Sequence, residues 1–470
     1  MNQKTKIVAT IGPATWDDEV IVEMISNGFA IARINASFAD FKEIERVSNQ
    51  MRRISPRVTV MLDLMGHKIR VTGFEDDKPF KKGDELILVS EGVTSNKPNV
   101  IQVTYPTLET DISRGAKILL DDGNIQLVVK DIQDKLVITE VQNDGILKRR
   151  KTVNTPGTHL NFPGLLKKDE EDLRFALENN LVDLVAASFV RNKEDVRLIK
   201  DIIGDKNIRV IAKIEDYEGA ENFDEILEVV DGIMIGRGDL GVELPLEKVP
   251  ILQKQFIYKC RQAGKPVIVA TQMLESMKEN PRATRAEISD VANAVMDGTD
   301  AVMLSAETSM GKYPTLAVKT MAEVATEAER FMIPQIVEGN TRSDPSTDAL
   351  GKHIYAISDE LNLAAIIVLS VKGHTVGSIA RHRLSIPIFE VSNNPTVIRQ
   401  NQLYRGVTGF YIQDLKKDRD QIVKQAVDIV YGSGHLEIND KVGVLGGSTI
   451  TTKGVDSMFE IVDVKTMLEL

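Results

Sequence analysis

Lys213 and Glu215 stand two positions apart where an apolar, β-branched run, Ile208–Ala212, gives way to polar residues. Side chains along a strand alternate faces with period two, so this ammonium and this carboxylate leave the same face side by side. A helical segment, about Phe223 to Val230, leads to a second apolar run, Gly232–Ile235, which stops in Gly236-Arg237-Gly238-Asp239. Strand, helix and strand make a right-handed βαβ unit whose two strands end at one edge of a parallel sheet. One ammonium and two carboxylates are therefore predicted to converge on one rim. That set suits a divalent cation carrying a phosphorylated substrate, with a fixed positive charge beside it. Taken singly, Lys213 with Glu215 also fits an ordinary structural ion pair, and GRGDLG also fits a tight turn. The two pieces in one unit are a stronger signal than either alone.

Runs of the same buried, parallel-strand character occur at Lys6–Ile11, Ala30–Ile34, Val58–Leu62, Val182–Ala187, Pro266–Ala270 and Asp300–Leu304, alternating with amphipathic helical stretches. With the two above they make eight strand–helix units. The economical architecture is α/β, a closed (β/α)8 TIM barrel with its active site at the carboxyl ends of the strands. The residues that end these runs fit that reading: Thr10, Arg33 with Asn35, Asp63, Ser188, Lys213, Asp239, Thr271, and Ser305 with Glu307.

Between the third and fourth runs the texture changes to short alternating strands, ELILV, VIQVTY, AKILLDDGNIQLVV and KLVITEV. Turn signals at Lys82-Gly83, Asp122-Gly123 and Asn143-Asp144-Gly145 separate them. This predicts an inserted all-β lid over the active face, with exits near Gly73 and Pro156-Gly157 suited to a hinge. Lys148-Arg149-Arg150-Lys151 reads as a solvated charge cluster near one hinge, with contact to a phosphate as the alternative. The polar stretch GNTRSDPSTD then reads as a linker, and beyond it strands at Ala364–Ser370, Ile386–Val391, Lys441–Leu445 and Phe459–Val462 predict an open C-terminal α/β domain. The expected borders are 1–71 and 159–339 for the barrel, 72–158 for the lid and 340–470 for the C-terminal domain.

A chain of 470 residues is too long for one compact core. Its 58 Lys and Arg against 69 Asp and Glu leave a formal charge of −11, which argues against nucleic acid or an anionic membrane as the main partner. An anionic substrate must then be held by a local basic cluster or a metal. Cys260 is the only cysteine, which fits a reducing compartment. The opening MNQKTKIVATIGPA has no long apolar stretch, and no run approaches the ~20 apolar residues of a membrane span. A cytoplasmic enzyme is expected.

The stretches KIVATIGPA, ARINAS, AASFVR, AKIEDYEG, GIMIGRGDLGVELP, ATQMLESM, NPRATRAEISDVANAV and DGTDAVMLSAET resemble, in the same order, those of the pyruvate kinase family. The resemblance covers essentially the whole chain. It implies a barrel, a β lid and an α/β C-terminal domain, a homotetramer, and a divalent metal, Mg2+ or Mn2+. The implied reaction is the glycolytic transfer of the phosphoryl group of phosphoenolpyruvate to ADP, giving pyruvate and ATP. Carried over by position, Glu215 and Asp239 would bind the divalent cation. Lys213 would stabilise the transferring phosphoryl group and the enolate left behind. Thr271 would lie on the face where the enolate is protonated, through a relay that includes Ser305 and is ordered by Glu307. Arg33 and Arg70 match the arginines that hold the phosphoryl group, and the backbone at Gly238 and Asp239 would receive the substrate carboxylate. Ser188 and Phe189 match the wall behind Lys213. The nucleotide side is implied at Asn35, Ser37, Arg70, Lys168 and, in the lid's Asp-Asp-Gly turn, Asp122. Positioning and cationic charge are what phosphoryl transfer asks of a protein, so these roles make physical sense. His159 is left as a hinge contact.

The chain departs from the family pattern in places. After the third strand the family reads Leu-Asp-Thr-Lys-Gly-Pro-Glu-Ile-Arg and this chain reads LDLMGHKIR, keeping Asp63, Gly66 and Arg70. Most members hold potassium here with an Asn, a Ser, the Asp and the following Thr. Asn35, Ser37 and Asp63 match, but Leu64 offers only its carbonyl. In members that work without potassium the Glu of that pattern is Lys, as Lys68 is here, and an ammonium can stand in for a monovalent cation. Potassium is therefore expected to be dispensable. The family's Asn-Phe-Ser-His-Gly is Asn35-Ala36-Ser37-Phe38-Ala39 here, and the missing histidine normally lies near the nucleotide phosphates, which leaves nucleotide preference open. Many members bind a sugar phosphate in a loop after the first C-terminal strand. Here Ser370, Lys372 and Thr375, at a helix start, could form a nest for a phosphorylated effector. An ordinary αβ turn is the alternative, and neither this loop nor GGSTITTKGVDS follows the fructose bisphosphate pattern. Two other functions fit the chain. One is another metal-dependent barrel enzyme acting on phosphoenolpyruvate, which would need neither lid nor nucleotide lysine. The other is a phosphate-sensing regulatory protein of the same fold, which would lack a catalytic group.

Overall fold

The structure, a computed structural model, describes residues 3–162, 164–333, 335–339, 345–414, 418–447 and 457–468. The eight apolar runs form strands Lys6–Thr10, Phe29–Asn35, Thr59–Asp63, Leu184–Ala187, Arg209–Ile214, Gly232–Gly236, Val267–Ala270 and Ala301–Leu304. They pair in parallel in chain order, and the last closes on the first with Lys6 opposite Ala301 and Ala9 opposite Leu304. One set of alternating side chains, among them Val8, Ile31, Met61, Ala186, Ile211, Met234, Ala270 and Met303, fills the barrel interior. The other set packs under the surrounding helices. The inward parity then runs on past the apolar layer: two residues beyond Ile31 is Arg33, beyond Met61 is Asp63, beyond Ile211 is Lys213, and Glu215 follows. The same alternation that builds the core thus delivers charged groups to the barrel mouth.

The insertion forms a seven-stranded sheet and a two-stranded ribbon, Lys78–Phe80 with Gly145–Leu147, around a core of its own. A short helix, Leu108–Asp111, interrupts the strand pattern read from the sequence. Where the chain returns to the barrel, Asn154 Nδ2 donates to Glu243 Oε1 at 2.8 Å. His159 Nδ1 meets Glu218 Oε2 at 2.7 Å along the same return to the barrel.

The C-terminal sheet has five strands in the order Val407–Tyr411, Ile388–Ser392, Ala365–Leu369, Lys441–Gly447, Ser457–Asp463, the last antiparallel to its neighbour. Val407–Tyr411 was not among the expected strands. Gly409 breaks its pattern, and a Cβ there would fall 2.3 Å from Ile398 Cγ2, so close packing rather than strand propensity decides that residue. This domain seats its helix Pro395–Asn401 against the amino ends of the barrel strands, opposite the charged mouth. Arg399 Nε pairs with Asp183 Oδ1 at 2.8 Å, Arg209 donates to Asn401 Oδ1 at 2.7 Å, and Leu403 joins the barrel's inner core. Among the described residues no helix is long and apolar enough to cross a membrane.

Glu390, fully buried in this sheet, accepts from Asn401 Nδ2 at 2.7 Å through one oxygen, and the other has no partner among the described residues. Burial pushes its pKa up to about 8, against only partial relief from Asn401 and Arg209. The folded chain therefore keeps a proton that the unfolded chain releases near its ordinary value, and this group's contribution to stability falls as pH rises from about 4.5 to about 8. Glu390→Gln should flatten that slope. Urea midpoints at pH 5 and pH 8 check it, with the variant gaining on the parent at the higher pH and an unchanged difference refuting the assignment.

Candidate active site

The charged mouth encloses a cavity of about 250 Å³. Lys213 Nζ lies 3.1 Å from Glu215 Oε1 and 3.1 Å from Asp63 Oδ1, and it donates to Ser188 Oγ at 2.7 Å. Burial works against its charge, yet the carboxylates of Asp63 and Glu215 outweigh burial and hold the ammonium above its ordinary range. Asp63 also takes Arg33 Nε at 2.6 Å, while Arg33 reaches Thr10 Oγ1 at 2.8 Å. Burial opposes the charge of Asp63 as well, but Lys213 and Arg33 prevail and keep its carboxyl below the usual range. Asp63, expected as part of a monovalent-cation site, is thus also the carboxylate that ties Arg33 to Lys213.

Glu215 Oε2 accepts the Phe189 N–H at 3.1 Å. Burial raises its pKa, Lys213 offsets this in part, and the neighbouring carboxylates of Asp239 and Asp63 add to the rise. Gly236 must be glycine for this packing, since a Cβ would fall 2.6 Å from Glu215 Cγ. The next residues are not a bare turn: Arg237–Glu243 is a short helix with Asp239 in its first turn. Asp239 pairs with the Lys68 ammonium, which also lies 5.7 Å from the centre of the Phe189 ring. Lys68, Asn35, Ser37, Asp63 and Leu64 all line the cavity, but the partner of Lys68 is Asp239.

Thr271 sits at φ +72° and Gln272 at φ +55°, left-handed conformations that a β-branched residue rarely adopts. Thr271 Oγ1 accepts the Gly238 N–H at 2.7 Å and donates to the Ala270 carbonyl at 2.6 Å. The Gly238 amide, expected to receive a substrate carboxylate, therefore faces Thr271 here. Ser305 lines the cavity, whereas Glu307 is fully buried behind it. Glu307 accepts the Ser305 N–H at 2.7 Å and the Leu274 N–H at 3.1 Å, bracing two loops at once.

Arg70 lines the cavity and donates to the Arg150 carbonyl of the lid at 2.9 Å. Other expected nucleotide contacts lie outside the lining. Lys168 Nζ pairs with Asp172 at 2.5 Å, close to the Ala39 carbonyl at 3.3 Å, and Asp122 accepts from Thr152 Oγ1 at 2.7 Å within the lid. Phe38 stands at the cavity lip and is 88% exposed. Ser370, Lys372 and Thr375 lie in the C-terminal domain: Ser370 Oγ accepts the Gly373 N–H at 2.8 Å, the Lys372 carbonyl faces Arg209, and Thr375 is in helix His374–Ala380. Most of GGSTITTKGVDS, residues 448–456, lies outside the described residues.

Among the described residues no group of three or more His, Cys, Asp or Glu side chains is placed to hold a metal ion. Glu215 with Asp239 is a pair of carboxylates, and burial, with Asp239's charge adding to it, pushes Glu215 toward protonation. A hard divalent cation held by one or two carboxylates and completed by substrate oxygens is the usual arrangement for Mg2+. The donor set fits such an ion better than an all-protein cage.

The mouth of a closed parallel barrel gathers Lys213, Arg33, Arg70 and the carboxylates of Glu215 and Asp239 in one cavity, a set suited to phosphorylated substrates. The family model "Pyruvate kinase, barrel domain" matches residues 2–318, and "Pyruvate kinase, alpha/beta domain" matches 348–462. The chain is 41% identical to the pyruvate kinase of Geobacillus stearothermophilus over 476 residues, 98% of this chain and 80% of the relative. It is also 41% identical to that of Bacillus licheniformis, over 95% of this chain and 78% of the relative, and to that of Staphylococcus aureus (strain MRSA252), over 98% and 80%. The chain belongs to the pyruvate kinase family and is a phosphotransferase.

Proposed function

We propose that this cavity transfers the phosphoryl group of phosphoenolpyruvate to ADP, giving pyruvate and ATP. The observation that carries the reading is Lys213 Nζ at 3.1 Å from both Glu215 and Asp63, with Arg33 on the far oxygen of Asp63. Arg33, Arg70 and Lys213 line one cavity, and positive charge held in place there supports a transferring phosphoryl group. Glu215 and Asp239 would hold Mg2+ or Mn2+, which when bound polarises the phosphoryl and enolate oxygens. Thr271 and Ser305 face the enolate and deliver its proton, with Glu307 fixing the loops that carry them. Asn35, Ser37, Arg70, Lys168 and the lid's Asp122 take the nucleotide, Asp122 on lid closure. Lys68 supplies the charge that potassium supplies in other members. A phosphorylated effector at Ser370, Lys372 and Thr375 is part of this reading, and unchanged kinetics across a panel of sugar phosphates and nucleotides would remove it. The chain would work as a cytoplasmic homotetramer, which a light-scattering mass checks. The function itself is tested by omission: pyruvate release from phosphoenolpyruvate should require both ADP and the divalent ion. Release that proceeds without ADP would point to a different barrel chemistry.

A further inference from the structure

Arg237 lies in the Gly236–Asp239 stretch, yet it is not among the cavity's lining residues. Its side chain is 12% exposed, and one terminal nitrogen donates to the Thr271 carbonyl at 3.0 Å and contacts Met273 Sδ at 2.7 Å. The other donates to Asp290 Oδ1 at 2.6 Å and reaches Gln253 Oε1 at 3.4 Å. Asp290 is carried by helix Arg285–Met296, whose start is fixed by a reciprocal Thr284–Glu287 capping box. On the other side of the same loop, Glu307 holds the Leu274 N–H. The turn Thr271–Leu274 is therefore clamped at both ends.

Thr271 pays for its φ of +72° with strain that only a surrounding network can sustain. In that conformation its hydroxyl meets the Gly238 N–H at 2.7 Å at the cavity edge. Released from Arg237, the residue would relax toward the ordinary basins and carry Oγ1 away from Gly238. We propose that Arg237, anchored by Asp290, is a positioning residue that holds Thr271 left-handed and so fixes its hydroxyl on the face where the enolate takes its proton. This rests on the role given to Thr271 under the proposed function.

The test is a double-mutant cycle on the full chain. Arg237→Lys, Asp290→Asn and Thr271→Ala are made singly, and the first two are each combined with the third. Asp290 is 38% exposed, so its variant keeps the buried set intact and stands in should Arg237→Lys fold poorly. Turnover is measured together with exchange of the pyruvate methyl protons with D2O in the presence of ATP and Mg2+. The single changes at 237 and 290 should lower kcat and exchange about tenfold or more, leaving the KM for ADP within about twofold. In the Thr271→Ala background the same changes should cost less than about twofold, since the group they position is gone. An equal cost in both backgrounds, or no cost in the singles, overturns the positioning role while the role of Thr271 stands. Normal exchange in Thr271→Ala alone overturns both, and so identifies the failure as that of the underlying assignment.

Discussion

Lys213→Met is expected to abolish pyruvate formation, by about three orders of magnitude or more, while a divalent ion still binds. Methionine keeps nearly the length and bulk of the lysine stem, so the cavity wall persists and the lost quantity is charge. That charge is the one point at which Asp63, Glu215 and Ser188 meet, each at 3.1 Å or less. In the proposed reaction the same ammonium faces the phosphoryl group and then the enolate, so its loss removes stabilisation that grows along the reaction path. The variant should also be less stable, because Asp63 and Glu215 remain buried with one counter-charge fewer. Arg33, still 2.6 Å from Asp63, limits that penalty to one side of the cluster. Coupled assays and Mn2+ titrations on the same preparation check both halves. Activity within about tenfold of the parent would remove Lys213 from the chemistry.

Lys68→Glu should make turnover respond to potassium, where the parent is expected not to. The parent is expected to turn over comparably with potassium and with a tetraalkylammonium salt, because its own ammonium stands at the cavity wall. In the variant a carboxylate would replace the cation now paired with Asp239, placing like charges together beside the proposed metal ligands. Activity in tetraalkylammonium should fall by about ten- to a hundredfold. Potassium should restore part of it through Asn35, Ser37, Asp63 and the Leu64 carbonyl, and only part, since Leu64 lacks the hydroxyl of the family's threonine. A many-fold potassium requirement in the parent, or full activity of the variant without potassium, contradicts this role for Lys68.

What could be read in the residues was whatever depends on local periodicity. Eight β-branched runs gave eight barrel strands, and the two-residue spacing of Lys213 and Glu215 placed both on the inner face, 3.1 Å apart. Contacts set by tertiary approach were not legible. Lys68 finds Asp239 from a loop on the other side of the mouth, and no spacing rule relates residues from distant strands. The left-handed Thr271 lies in ATQM, a sequence with no glycine to announce a positive φ, and its carbonyl is held by an arginine from the neighbouring unit. Val407–Tyr411 was hidden by a glycine that only close packing explains. Asp122 matched the family by position, yet it sits in the lid bonded to Thr152, and how lid and barrel meet is not encoded in local patterns; Lys168, on barrel helix Lys167–Glu178, is turned to Asp172.

The phosphorus of phosphoenolpyruvate should end on ADP. With phosphoenolpyruvate, ADP and Mg2+ in a potassium-free buffer, ³¹P NMR should show the phosphoenolpyruvate signal replaced by the γ-phosphate of ATP, one ATP for each pyruvate formed. Phosphoenolpyruvate consumed into inorganic phosphate, or left untouched by this protein while the added ADP remains unchanged, would contradict it.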